Sequence, residues 1–138
     1  MTSYKLAEQF GLIIHYSDDE YIYTSTPKYK YSLFDYLSAT DDARIEEVLT
    51  DVVQKLKSVI KLLWIKQIIH CDLSFGNICI DNNDDLQLID FEFMTTGDIF
   101  ENGHIHLRYI EEDLRTFTKG DNMLYDELIY LLYTKNEK

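Results

Sequence analysis

IIHCDLSFGNICIDNNDDLQLIDFEFM, residues 68–94, is the stretch whose reading decides the fold. Its two apolar runs, Ile78 to Ile80 and Leu86 to Ile89, flank the turn-forming pair Asn82-Asn83, and this pattern predicts a short β-hairpin. Asp72 and Asn77 lie in the loop entering the first strand, and Asp90 sits where the second strand stops. Closing the hairpin sets the two strand ends side by side, so two carboxylates and an amide from distant positions converge. Hard oxygen donors on rigid supports suit Mg²⁺, which takes a few carboxylate or amide oxygens and keeps positions for phosphate.

The order His70-x-Asp72-x-x-x-x-Asn77, an apolar hairpin, then Asp90-Phe91 resembles the catalytic core of the protein-kinase-like superfamily, whose pattern is H-R-D-L-x-x-x-N followed by D-F-G. The resemblance implies that Asp72 accepts the proton of a substrate hydroxyl, and that Asn77 and Asp90 hold Mg²⁺ on the phosphates of ATP. Three positions depart from the protein-kinase pattern. Cys71 replaces the Arg that pairs with a phosphorylated activation loop, Ser74 stands where a phosphoryl-contacting Lys is usual, and Glu92 replaces the glycine of D-F-G. Gly76-Asn77 and Ile89-Asp90-Phe91-Glu92 look more like the small-molecule branch, the choline and aminoglycoside kinases.

Upstream, Leu12 to Tyr16 and Glu20 to Thr24 are rich in β-branched and aromatic residues around Ser17-Asp18-Asp19, which predicts a second hairpin. Ser25 to Lys30, with the only proline, reads as a turn-rich connector, and Ser32 to Leu37 as one short helix with Ser32 as its cap. By resemblance this succession is the end of a kinase N-lobe, the hinge and the helix after it. The hinge would then face adenine, and the expected nucleotide contacts are Thr26, Lys28 and Tyr29. No G-x-G-x-x-G loop and no V-A-I-K lysine precede it, although these groups grip ATP phosphates in kinases. Lys5, Lys28 and Lys30 read as solvated lysines.

From Ala43 to Lys66, the residues Ile45, Val48, Leu49, Val52, Leu56, Val59, Ile60 and Leu63 recur at three- and four-residue steps, which predicts one long amphipathic helix capped by Thr40 or Asp41. Acidic residues at its start and lysines toward its end complement the helix dipole. It leads straight into His70, as does the helix supporting the catalytic loop in kinases. Beyond Asp90, Thr95-Thr96-Gly97 and Asn102-Gly103 read as loop, and His104 and His106 alternate with apolar residues, as on a strand, where they could share a face. Glu111 to Phe117 is predicted helical, with Asp113 matching the Asp-led helix that follows the activation segment in kinases. Met123 to Tyr133 is a closing helix with Leu124, Leu128, Leu131 and Leu132 inward. Asp81, Asn83, Asp85 and Glu92 mimic EF-hand ligand spacing, but Leu86 occupies the position that needs glycine, and the flanks are strand-like.

The chain has 138 residues, 46% of them hydrophobic, enough for one domain with one core. The expected class is α+β: a minimal protein-kinase-like fold over residues 1–138, with an N-lobe remnant and hinge in 1–31 and a reduced, mainly helical C-lobe in 32–138. A net charge of −12 disfavours nucleic acid and anionic membranes as partners. It also opposes free ATP unless Mg²⁺ or a basic partner offsets it. Cys71 and Cys79 read as reduced thiols, and with no leader pattern and no membrane-spanning run the expected location is the cytoplasm. Two functions fit. One is an ATP- and Mg²⁺-dependent kinase acting on a hydroxyl, needing a partner or self-association to complete the N-lobe. The other is a pseudokinase, decoy or scaffold that binds a kinase or its substrate without turnover. A pared-down kinase relative of this kind also fits a viral or mobile-element accessory protein.

Overall fold

The computed structural model describes residues 8, 13–17, 22–25, 29–90, 93–101 and 105–134. Its architecture is mixed, with four α-helices and three small antiparallel sheets among the described residues. The first sheet is the expected hairpin, β1 (Ile13–Ser17) against β2 (Ile22–Ser25). Residues 26–28 of the connector, including Thr26 and Lys28, lie outside the described residues, as do Phe91, Glu92 and His104.

The rest of that connector is not a loop. Tyr29–Ser32 forms β3 and adds to the edge of the hairpin β5 (Ile78–Asp81) and β6 (Leu86–Leu88), with Tyr29 opposite Asp81 and Ser32 opposite Cys79. Alternation in Tyr-Lys-Tyr-Ser fits a strand, but the open edge of β5 that it needs is a tertiary feature. Ser32 then caps α1 (Leu33–Ser38), its hydroxyl accepting the Asp35 N–H at 3.1 Å.

The long helix α2 (Ile45–Ile65) begins later than its periodicity suggested. Neither Thr40 nor Asp41 supplies the cap with its side chain. Arg44 occupies the cap without a side-chain bond, because a backbone turn, Arg44 N–H to the Asp41 carbonyl at 2.9 Å, brings the chain in. Val48, Leu49, Val52, Val53, Leu56, Ile60 and Leu63 are buried, each contributing about 1.5–3 kcal/mol by leaving water. Val53 joins this face, while Ile45 and Val59 sit half-buried at its margins. A helix packed on two sides buries a stripe wider than one seam.

Against α2 lie α3 (Arg108–Thr118) and α4 (Asn122–Tyr133), the latter capped by Asp121, whose carboxylate accepts the Leu124 N–H at 3.0 Å. Leu124, Leu128 and Leu132 point inward as expected, and Leu131 is only half-buried. Thr95–Thr96, expected as loop, is β7, paired with β4 (Ile68–Ile69). His106 lies in the turn before α3 and not on a strand. No helix among the described residues is long and apolar enough to cross a membrane.

Candidate active site

The loop between β4 and β5 is held from below and from behind. Below, β4 pairs with β7, and the Gly97 N–H reaches the Gln67 carbonyl at 2.8 Å, so the chain leaving Asp90 returns alongside the chain approaching Asp72. Behind, Phe75 opens a single 3₁₀ turn (Phe75–Asn77) and is fully buried, stacked 6.1 Å from Phe117 on α3. The Phe75 N–H donates to the Asp113 carboxylate at 2.8 Å. Burial pushes the Asp113 carboxyl above its usual range, and Glu112 adds to this while the Phe75 N–H opposes it.

Within this frame a closed circuit of four hydrogen bonds ties the three motif positions together. The Asp72 N–H donates to His70 Nδ1 at 3.3 Å, which leaves the ring proton on Nε2, and Nε2 lies 2.7 Å from the Ile89 carbonyl. The Ile89 N–H donates to the Asn77 carbonyl at 3.0 Å, and Asn77 Nδ2 donates to the Asp72 carbonyl at 2.9 Å. Ile89, immediately before Asp90, is therefore fastened through its carbonyl to His70 and through its N–H to Asn77. His70 is 1% exposed, and burial lowers its pKa, against weaker opposing effects of the Ile89 carbonyl, Asp72 and Asp90. A neutral imidazole is the form the circuit requires.

The circuit uses backbone groups, the His70 imidazole and the Asn77 amide, and spares the carboxylates. Neither the Asp72 nor the Asp90 carboxylate is engaged in a hydrogen bond or ion pair among the described residues. With Nδ2 donated to the Asp72 carbonyl, Oδ1 is the Asn77 side-chain atom left to act as a ligand. Two carboxylates and one amide oxygen are the donor set that Mg²⁺ accepts, so these residues fit that ion. No group of three or more His, Cys, Asp or Glu side chains suited to a metal occurs among the described residues. Both aspartates adjoin or occupy left-handed backbone: φ is 74° at Cys71 and 61° at Asp90. For a cysteine this costs about 1–2 kcal/mol, strain of the kind that collects at functional sites.

Tyr29 does not join this group. It lies opposite Asp81 at the far end of β5, one strand length from Asn77. Its neighbour Lys30 is exposed and bonded to Asp84 at 2.8 Å. At that far end the EF-hand-like spacing finds its explanation. Asp81 is 6% exposed, and its carboxylate accepts the Asn83 and Asp85 N–H groups and Gln87 Nε2 at 2.8 to 3.0 Å. These donors hold its carboxyl below the usual range and occupy the oxygens a calcium ion would need. The contribution least legible in the sequence is that of Ile89, whose peptide is the hub of the circuit, since an apolar residue carries no spacing signal for a backbone role.

No curated protein matches the chain. The family model APH, described as a phosphotransferase enzyme family, matches residues 19–125, more than half of the sequence. That span contains β5, β6, the loop with Asp72 and Asn77, and Asp90. The likeness to choline and aminoglycoside kinases read from residues 68–94 and the match over most of the chain agree, and the chain belongs to the phosphotransferase enzyme family.

Proposed function

We propose that the chain carries an ATP-dependent phosphotransferase centre acting on a hydroxyl acceptor, with Asp72 as the proton acceptor and Asn77 and Asp90 as the Mg²⁺-holding pair. The observation that supports this reading best is the hydrogen-bond circuit, which fastens the backbone at Asp72 and Asn77 to that of Ile89, next to Asp90, and engages no carboxylate oxygen. Bound there, Mg²⁺ would neutralise phosphate charge and orient the transferred group. The chain's own work is positioning. His70 and the Ile89 peptide set Asp90 relative to Asn77, while Asp113 steadies the loop so that Asp72 meets the acceptor hydroxyl within proton-transfer reach.

In this reading residues 1–31 stand for the end of a small lobe and hinge, and 32–138 for a reduced large lobe. The adenine end of the nucleotide would lie toward Thr26, Lys28 and Tyr29, of which Tyr29 stands one strand length from Asn77, and a second polypeptide or self-association would supply the phosphate-gripping cations. Thermal melting with and without Mg²⁺-ATP tests nucleotide use: stabilisation is expected for the wild type and is lost in Asp90→Ala. Transfer of phosphate to small alcohols and peptides, compared between wild type and Asp72→Ala, tests the proton acceptor. Absence of any shift at saturating Mg²⁺-ATP would overturn the enzyme reading in favour of a scaffold or pseudokinase.

A further inference from the structure

A groove unrelated to the phosphate chemistry runs across the other end of the sheet. Tyr31 on β3 and Tyr36 on α1 stack with ring centroids 5.6 Å apart and planes within 10°. Open hollows of about 320 Å³ and about 270 Å³ flank this pair. The first runs toward Arg44 and Val48 at the start of α2, the second toward Leu86 and Asp84 at the hairpin tip, and Tyr36 also borders the adjoining face of α2. Tyr31 remains 40% exposed.

The charge around the tyrosines is one-sided. Asp35 and Asp41 rim the first hollow, and Glu46 and Glu47 rim the adjoining face of α2. None of the four has an ion pair among the described residues. Among the described residues lining these hollows, Lys55 is already held by Asp51 at 3.4 Å and by the Asp84 carbonyl at 3.1 Å, and Arg44 is the other basic side chain, while Lys119 pairs with Asp42 beside the row. Stacked aromatic faces attract guanidinium and ammonium groups, and free carboxylates on the same rim reinforce that preference. The groove is also long, spanning strand, short helix and long helix, which suits an extended segment better than a compact molecule.

We infer that the Tyr31–Tyr36 groove docks an extended basic segment of a partner protein, an Arg or Lys side chain lying on the tyrosine stack and its neighbours meeting the Asp41 to Glu47 rim. This surface recruits a partner and is independent of the reading of Asp72, Asn77 and Asp90. The probe is a short labelled Arg- and Lys-rich peptide, followed by fluorescence anisotropy. Wild type is expected to bind it, with affinity falling as salt is raised. Asp41→Asn with Glu47→Gln weakens binding about tenfold, and Tyr31→Ser weakens it further at an unchanged melting temperature. Asp90→Asn leaves binding unchanged. Equal weakening by Asp126→Asn with Glu127→Gln on α4 would overturn the inference, because general acidity would then suffice. So would loss of binding in Asp90→Asn, or spermidine displacing the peptide at equal charge concentration, which would assign the groove to a free polycation.

Discussion

The two ends of the β5–β6 hairpin carry the same residue types and do opposite things. At the tip, Asp81 turns its carboxylate inward and spends it on three N–H donors, and Asp84, with φ 63°, is clamped by Lys30 and Lys55. At the base, backbone and amide groups make the bonds, and the carboxylates of Asp72 and Asp90 are spared. A satisfied carboxylate builds a turn; a spared one on an ordered backbone is free to meet a cation. The number of acidic residues in a segment therefore says little, and what their oxygens already hold says much.

The largest effect that would sharpen this contrast is on phosphate transfer. Asp72→Ala is expected to slow transfer by roughly 10²–10⁴-fold, the usual worth of a positioned proton acceptor, in a direct assay of labelled phosphate on acceptor. Asp81→Ala, assayed well below its melting point, is expected to retain the rate and to show a lowered melting temperature instead. Rate loss in Asp81→Ala equal to that in Asp72→Ala would erase the distinction between the two ends.

Next in size is the circuit itself. His70→Ala opens a cavity and strands the Ile89 carbonyl, and denaturant titration should show a loss of about 2–4 kcal/mol. Asp113→Ala leaves the Phe75 N–H unpartnered, at about 1–3 kcal/mol by the same measurement. Its effect on transfer should exceed that of a core truncation of equal stability cost, since it loosens the loop bearing Asp72.

The smallest effect is a pH dependence. Burial lowers the folded pKa of His70 below its unfolded value near 6.5, so the unfolded chain takes up the proton first. The stability that follows is full above about pH 6.5 and is lost as pH falls from there toward the folded value. Asp113 has the opposite sign, because its raised carboxyl pKa favours the folded state in acid and withdraws that stability as pH rises above the ordinary carboxylate range. Melting temperature followed downward from pH 7.5 should fall more steeply in wild type than in His70→Gln, and equal slopes would remove His70 as the titrating group.

Much of this was legible in the chain. Apolar runs around Asn82-Asn83 announced the hairpin, Ser32 announced its helix, and the three- and four-residue steps from Val48 to Leu63 announced α2, because each is a local pattern with a local cause. The strands at Tyr29 and Thr95 carry no such local mark, for the converse reason. Both are strands by virtue of an edge offered elsewhere, β5 for one and β4 for the other.

By itself the sequence determined the family: the order His70, Asp72, Asn77, Asp90 stands in the chain, and the match to the phosphotransferase family runs across it. Only the tertiary structure decided which acidic oxygens remain available and which are consumed. That choice depends on folding, which turns the donors of Asn83, Asp85 and Gln87 onto the Asp81 carboxylate but aims those of Asn77 and Ile89 at backbone carbonyls, and a choice of partner leaves no mark on local composition.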